Sequence, residues 1–379
     1  MSSLVIFGAS TRAAAFSAIR AGFDPICGDM FADADLRAFA TVLDVPHYPH
    51  KLVEAIQHLP PLPWIYTGAL ENAPPEVERI SNRMMLWGNF SNSLRDCRNP
   101  WFCRDILQQS GLPTLELRPD SAPPLRDDCW LVKPLRSAAG RAVSLWSAAA
   151  HTPAEPHYFQ QRAIGTPISA AYLATATSGI LLGISQQLIG CSELNAPAYG
   201  YCGSLFPWSV SHPNLEEQIR QIGGAISQAC GLRGLFGIDF ISDGQTAWMT
   251  EINPRYTASM ELIEYQRQIP LLAYHRQACE GTLEIPPLDS SCPEDGERFC
   301  GKIVLYADRA ARAPDLSAWI PRSITLSDLP ELADIPLAGT DIFPGQPVFT
   351  CLGEGDDPDQ LFAGLVERAH RLWQTFPNP

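Results

Sequence analysis

The stretch Gly234-Leu235-Phe236-Gly237-Ile238-Asp239-Phe240-Ile241-Ser242-Asp243-Gly244-Gln245-Thr246-Ala247-Trp248-Met249-Thr250-Glu251-Ile252-Asn253-Pro254-Arg255 decides how the chain reads. Two runs rich in branched and aromatic residues flank Asp243-Gly244, a strong hairpin signal. Side chains alternate along a strand, so Glu251 and Asn253 project from one face. Asp239 joins them only if the loop has an odd residue count, such as Asp243-Gly244-Gln245, or if a bulge intervenes. A strict two-residue loop pairs Asp239 with Trp248 and turns Glu251 away. The spacing therefore predicts an odd loop or a bulge.

Asp239, Glu251 and Asn253 are a set of hard oxygen donors, two carboxylates and an amide carbonyl. Such a set suits Mg²⁺, which keeps waters and completes its shell with phosphate oxygens. Arg255 follows at once and is placed to bind a transferring phosphoryl group. A hairpin whose acids merely face water is the alternative. It leaves unexplained why Asn-Pro-Arg directly follows the strand that carries Glu251.

Working outward, the opening reads as strand, turn and helix: Leu4 to Phe7, then Gly8-Ala9-Ser10, then an alanine-rich helix over Thr11 to Ala21 with Gly22 at its C′ position. Short strands at Pro25-Ile26-Cys27 and Trp64 to Thr67 follow, and this alternation argues for a doubly wound parallel sheet over residues 1–95. Gly8-Ala9-Ser10-Thr11-Arg12 lacks the G-x-G-x-x-G spacing of a dinucleotide site, so a tight turn is expected there. Further on, the pattern predicts a helix at 100–110 and strands at 129–133, 158–163, 168–175 and 180–187. An amphipathic helix over Leu215 to Cys230 has Ile219, Ile222, Ile226 and Cys230 on one stripe. Lys302 to Tyr306 and Pro347 to Cys351 read as strands of a small β-rich unit, and Asp359 to Trp373 as a closing helix. Proline-rich stretches at 119–124, 151–156 and 286–297 read as connections.

Composition narrows the function. The 379 residues suit two or three domains. Twenty-seven basic against 41 acidic residues give −14, with no cationic stripe, so nucleic acid is not an expected partner. No apolar run approaches the roughly 18 residues that span a bilayer, and no membrane partner is expected. Met1-Ser2-Ser3 leads into Leu4-Val5-Ile6-Phe7 without a basic n-region, so the expectation is a cytoplasmic protein. Eleven cysteines without a Cys-x-x-Cys pair read as reduced, packed thiols. Neither H-E-x-x-H nor Gly-x-Ser-x-Gly occurs, which disfavours zinc hydrolysis and serine hydrolysis.

The hairpin resembles the C-terminal metal-binding hairpin of the ATP-grasp superfamily, whose members carry an acid on one strand and Glu-x-Asn on the next. Cys129-Trp130-Leu131-Val132-Lys133-Pro134 resembles the strand whose lysine touches the ATP phosphates. Leu135-Arg136-Ser137-Ala138-Ala139-Gly140-Arg141 sits where the family has a small-residue loop closing over those phosphates, which implies roles for Ser137 and Gly140. Tyr158-Phe159-Gln160-Gln161-Arg162-Ala163-Ile164-Gly165 resembles the hinge whose backbone reads the adenine edge, implying Gln160, Gln161 and Ala163. Gly165-Thr166-Pro167-Ile168-Ser169 matches the Gly-x-x-x-Ser/Thr that follows. Asn99-Pro100-Trp101-Phe102-Cys103-Arg104, with Gly111-Leu112-Pro113, resembles a helix that usually carries a phosphate-binding lysine. Arg104 stands there instead, Gln160 replaces a common glutamate, and Pro167 or one of its neighbours lies where an acid often holds the ribose hydroxyls.

The resemblance implies an α/β fold: a Rossmann-like N-terminal domain (1–95), a two-subdomain ATP-grasp unit (96–175 and 176–290) and a C-terminal β-rich unit with a terminal helix (291–379). The implied cofactors are ATP and Mg²⁺, with Asp239, Glu251 and Asn253 as metal ligands and Lys133 and Arg255 as catalytic residues. The implied reaction is ATP-dependent activation of a carboxylate as an acyl phosphate, followed by attack of an amine, with ADP and phosphate released. Small-molecule acids and amines are the partners, and related enzymes suggest a homodimer. Glutamyl transfer in one-carbon cofactor assembly, of the methanofuran or tetrahydromethanopterin type, is one specific form. A bicarbonate-using carboxylase-like enzyme and a non-catalytic nucleotide-binding module remain open. Tyr199, Tyr201 and Tyr256 flank the site as stacking surfaces or as core; Glu261 or Glu264 is a candidate to bind an amino group, and Tyr66, Glu71 and Asn72 to touch substrate.

Overall fold

The computed structural model describes residues 2–45, 47–175, 178–208, 212–283 and 298–378. The proline-rich connection at 286–297 therefore lies wholly outside the described residues.

The first layer is a parallel sheet of β1 (Ser2–Gly8), β2 (Phe23–Asp29), β3 (Thr41–Leu43), β4 (Pro63–Tyr66) and β5 (Met85–Leu86), in the order β3-β2-β1-β4-β5. Helices α1 (Arg12–Arg20), α2 (Ala34–Phe39), α3 (Leu52–Ala55) and α4 (Pro74–Ser81) make its crossovers. Strand order reverses direction between β1 and β4, and in such sheets a crevice opens beyond the carboxyl ends of the strands at that point. Gly8 closes β1 there: a Cβ on it would lie 1.7 Å from Thr67 Oγ1, so a close approach of two strand ends, not a dinucleotide, requires this glycine. Gly22 adopts φ +83° after α1, as a C′ residue does.

Helices α5 (Ser91–Cys97) and α6 (Pro100–Gln109) lead into a small sheet of β6 (Leu117–Pro119), β7 (Trp130–Pro134), β8 (Ser144–Leu145) and β9 (His157–Gln161), ordered β6-β9-β7-β8. Its core is compact, built on Trp130, Val132, Trp146 and Phe159.

The largest sheet has eight strands among the described residues. It uses β10 (Thr166–Ala174), β11 (Gly179–Ile189), β12 (Tyr201–Phe206), β13 (Gly234–Ser242), β14 (Ala247–Asn253) and β15 (Phe299–Tyr306). After β16 (Ala311–Arg312) come β17 (Leu332–Ala333), β18 (Asp341–Ile342) and β19 (Pro347–Gly355). The order is β14-β13-β10-β11-β12-β15-β19-β17, while β16 and β18 pair separately. Helix α7 (Pro213–Ala229) buries Ile219, Ile222 and Ile226 against β10 and β11, as its stripe predicts. Helices α8 (Met260–Arg267) and α9 (Leu271–Glu280) share one core with α1 and β1, which fixes the first layer against the large sheet. Helix α10 (Pro358–Trp373) covers β15 and β19.

Two features depart from the sequence pattern. The two strands expected after Cys300, β15 and β19, do not form a separate sheet: β15 pairs with β12, Gly203 opposite Ile303 and Phe206 opposite Cys300, so they extend the large sheet, while β16 and β18 pair apart from it. The first change of sheet falls between Gln161 and Thr166, not near residue 175, because β10 pairs with β13 along its whole length. Every cysteine among the described residues is a free thiol. No helix of the described residues is long and apolar enough to cross a membrane.

Candidate functional site

The hairpin reaches its register through a bulge. Ser242 pairs with Ala247, which leaves the four-residue loop Asp243–Thr246 rather than the three-residue loop, and the ladder shifts between Asp239 and Phe240. Thr250 is the extra residue, and its Oγ1 donates to the Asp239 carbonyl at 3.1 Å. The shift sets Asp239 directly opposite Glu251 and Gly237 opposite Asn253, so the three expected residues share one face.

Each oxygen of Asp239 is held by a neutral donor. Oδ1 accepts from Ser169 Oγ at 2.8 Å and Gln187 Nε2 at 2.9 Å, and Oδ2 accepts from Asn253 Nδ2 at 3.0 Å. Ser169 is the last residue of the Gly165–Ser169 motif and pairs across the sheet with Asp239, which explains a hydroxyl there. Asn253 Oδ1 accepts from Arg255 at 2.9 Å, so the amide brackets the acid and the arginine. Burial, and then the neighbouring Glu251, raises the Asp239 carboxyl to about 6.

Positive charge comes from three directions. Lys133, at the end of β7, donates from Nζ to Gln160 Oε1 at 3.1 Å and to the carbonyl of the bulged Thr250 at 2.8 Å. Arg98 donates to Glu251 Oε1 and to the Ser137 carbonyl, both at 2.7 Å. It was not legible in the sequence, since its partner lies 153 residues away and only its place before the Asn99-Pro100 helix start marks it. Arg104 lines a small recess with Lys133, Ser137, Gln160 and Glu251, but its guanidinium is paired with Asp105. Arg255 is gripped by Glu71, with Nε to Oε1 at 2.9 Å.

The small-residue loop packs onto the large sheet. Gly140 has φ +73°, and a Cβ on it would sit 1.8 Å from the Tyr199 carbonyl. Asn72 Nδ2 braces the same loop at the Ser137 carbonyl, 3.0 Å away. Gly140→Ala is therefore expected to hold the loop away from Tyr199 and raise the KM for ATP about tenfold, as steady-state kinetics would read. In the hinge, Gln161 N donates to the Glu116 carbonyl and its side chain accepts from Glu116 N, so both groups face β6. Ala163 makes no backbone hydrogen bond among the described residues and lines the cavity below the loop.

That cavity, about 450 Å³, contains Lys133, Gly140, Ala163, Asp239, Glu251 and Asn253 in its wall. A second, about 300 Å³, lies at the carboxyl ends of β1 and β4. Ala139, Tyr201, Arg255, Thr257 and Ala258 line both. Tyr199 and Tyr201 border the larger cavity instead of packing in the core. The expected substrate roles of Tyr66, Glu261 and Glu264 do not hold. Tyr66 is buried with its hydroxyl on the Asn89 carbonyl, and both glutamates are buried in ion pairs with Arg12 and Arg20. Glu71 and Asn72 do reach the site, through Arg255 and Ser137.

Residues 97–259 match the family model for the ATP-grasp domain. The chain carries an ATP-grasp domain. ATP and Mg²⁺ are the cofactors of that family. Among solved structures, the chain is similar to the L-amino acid ligase from Bacillus licheniformis (TM-score 0.70, 14% identity, 100% of this chain and 98% of that one). It is also similar to N5-carboxyaminoimidazole ribonucleotide synthetase from Thermus thermophilus (0.66, 15%, 97% and 98%). A third similar structure is biotin carboxylase from Campylobacter jejuni (0.69, 12%, 95% and 89%). At these identities the likeness is one of fold, and it runs through the N-terminal layer and the C-terminal strands as well as the ATP-grasp domain. No curated protein sequence matches the chain.

The donor chemistry of the ATP-grasp domain fits Mg²⁺. Among the described residues there is no group of three or more His, Cys, Asp or Glu poised for a metal. Instead two adjacent carboxylates and an amide face the cavity, and Asp239 has only neutral hydrogen-bond donors. A hard cation is the natural complement of that surplus negative charge. Because Asp239 ionises near 6, Mg²⁺ should bind about tenfold more weakly per pH unit below that value, as a metal titration of fluorescent nucleotide binding would show. The sign for stability is opposite to that of a salt-bridged acid. A carboxyl raised in the folded state costs stability as pH climbs from about 4 to about 6, so metal-free protein should weaken across that window and Asp239→Asn should weaken less.

Proposed function

We propose that the protein is an ATP-dependent carbon–nitrogen ligase that activates a carboxylate as an acyl phosphate and joins it to an amine. The observation that carries this reading is the pair of adjoining cavities with Arg255 in the wall of both. A nucleotide sensor needs only the larger one. A transfer enzyme needs a second chamber whose contents meet the phosphates at a shared cationic residue.

In this reading Asp239, Glu251 and Asn253 hold Mg²⁺, which when bound offsets the charge of the phosphate oxygens. Lys133 and Arg98 bring positive charge to the same side, and the loop around Gly140 shields the acyl phosphate from water. Arg255, fixed by Glu71, steadies the group in transfer. The carboxylate oxygen takes the γ-phosphoryl group and ADP leaves. The amine nitrogen then bonds to the acyl carbon, the bond to phosphate breaks, and the amine gives up a proton. Glutamate and an amine, as in one-carbon cofactor assembly, are the specific pair to test first. The same reading has the protein working in the cytoplasm, where ATP is available, as a homodimer.

The test is phosphate release from Mg²⁺-ATP with pooled acids and amines, including glutamate, tyramine and bicarbonate. Turnover that needs both an acid and an amine is the expected result. Incorporation of labelled bicarbonate without an amine requirement would replace this reading with a carboxylase. Tight ATP binding with no stimulating pool would favour the regulatory module.

A further inference from the structure

The second cavity holds a carboxylate that the scheme above does not use. Its mouth is at the carboxyl ends of β1 and β4, where Ala9, Ser10, Thr67 and Gly68 line it. One wall is apolar, built from Phe31, Tyr256, Val304, Val348 and Phe349. The other is charged: Arg12, Lys302, Asp33 and Asp334 line it, and three further acids, Asp29, Asp35 and Glu261, lie close to them.

Four of those five acids are engaged. Asp29 accepts from Thr11 and from the amides of Phe31 and Ala32. Asp35 accepts the amides of Asp334 and Ile335. Asp334 is held by Arg12 and Thr350, and Glu261 by Arg12 and Lys302. Asp33 differs. It is 8% exposed, lines the cavity, and among the described residues its carboxylate accepts no hydrogen bond and makes no ion pair. It stands just before α2, where an aspartate ordinarily accepts a backbone N–H, yet its side chain makes no such bond. Arg12 is taken up by Glu261 and Asp334, and Lys302 Nζ by Glu261 and the Ala258 carbonyl.

We propose that this cavity binds a primary amine as its ammonium ion, with Asp33 as counter-ion and the apolar wall covering the carbon skeleton. The inference rests on the ligase reading in one respect: this amine is the acceptor that the acyl phosphate meets beside Arg255. Arg12, Lys302 and Arg255 are each already paired with another acid, and a buried carboxylate without a partner is costly. Burial, together with Asp334, Asp35 and Asp29, raises the Asp33 carboxyl well above its usual range, and an ammonium ion would favour its charged form again.

The test measures binding of hexylammonium, 1-hexanol and hexanoate by calorimetry, with MgADP present to cover the metal-binding acids. Wild type is expected to bind hexylammonium at least tenfold more tightly than hexanol, and hexanoate most weakly. Asp33→Asn should erase the preference for the amine, leave hexanol binding unchanged and unfold no earlier than wild type. Equal affinity of wild type for hexylammonium and hexanol, which needs no variant to measure, would overturn the proposal. So would an Asp33→Asn protein that keeps the preference. Selective amine binding without amine-dependent phosphate release in any acid pool would sink the ligase reading and leave the amine subsite standing.

Discussion

Glu251→Ala is expected to lower the rate of phosphate release roughly a thousandfold, since it removes a charged group that acts on the phosphates from a preorganised site. The carboxylate has two duties. It faces Asp239 across the bulge, where the proposed function makes it a metal ligand, and its Oε1 anchors Arg98, which in turn holds the Ser137 carbonyl of the loop around Gly140. Glu251→Gln separates them, because an amide oxygen still accepts from Arg98 but carries no charge. If the metal duty dominates, Gln and Ala are equally inactive while Gln keeps the ATP affinity of wild type. Activity retained in the Gln variant would contradict the metal assignment. Neither change should greatly affect folding, because Glu251 is only partly buried at the cavity wall.

The largest effect on stability is expected from Glu261→Ala. Its side chain is fully buried between Arg12 and Lys302, both also buried. Burial by itself would raise its pKa, but Arg12 and Lys302 outweigh that and hold the carboxyl well below the usual glutamate range. Its contribution is thus present at neutral pH and lost only as pH falls well below 4. Removing it takes the ion-pair partner from Lys302 and leaves Arg12 with Asp334, at a cost of about 3–5 kcal/mol, which urea denaturation would register as a lower midpoint. Glu261→Ala paired with Lys302→Met should recover part of the loss, because it removes the charge left without an ion-pair partner.

These two glutamates mark how far the sequence could be read. Glu251 was legible because its meaning is local: alternation along a strand, an Asp-Gly turn and an amide two residues on. Even there the parity of the hairpin admitted two solutions, and only the pairing of Ser242 with Ala247 selects the bulge at Thr250. Glu261 looked equally available for substrate, because Arg12 is 249 residues away and no periodicity points to it. The same distance hid Arg98, and hid the pairing of β12 with β15 that merges the C-terminal strands into the large sheet. Gln187 was missed for a related reason. It lies on a strand recognisable by its apolar run, but its partner Asp239 is reached diagonally across β10.

The Asp35 carboxylate accepts the backbone amides of Asp334 and Ile335, and Ala34 N donates to the Ile335 carbonyl. A tie of that span has a timetable. On the ribosome the first parallel layer emerges long before the residues that close it, so during synthesis Arg12 and Asp35 wait with neither Glu261 nor Asp334 to meet them. Nascent chains are vulnerable for as long as such surfaces lack their partners. The first layer can collapse early on its own hydrophobic core, but the charged lock on its flank is set only when the last third of the polypeptide has left the exit tunnel. The cavity that this lock helps to wall is therefore among the last parts of the molecule to take shape.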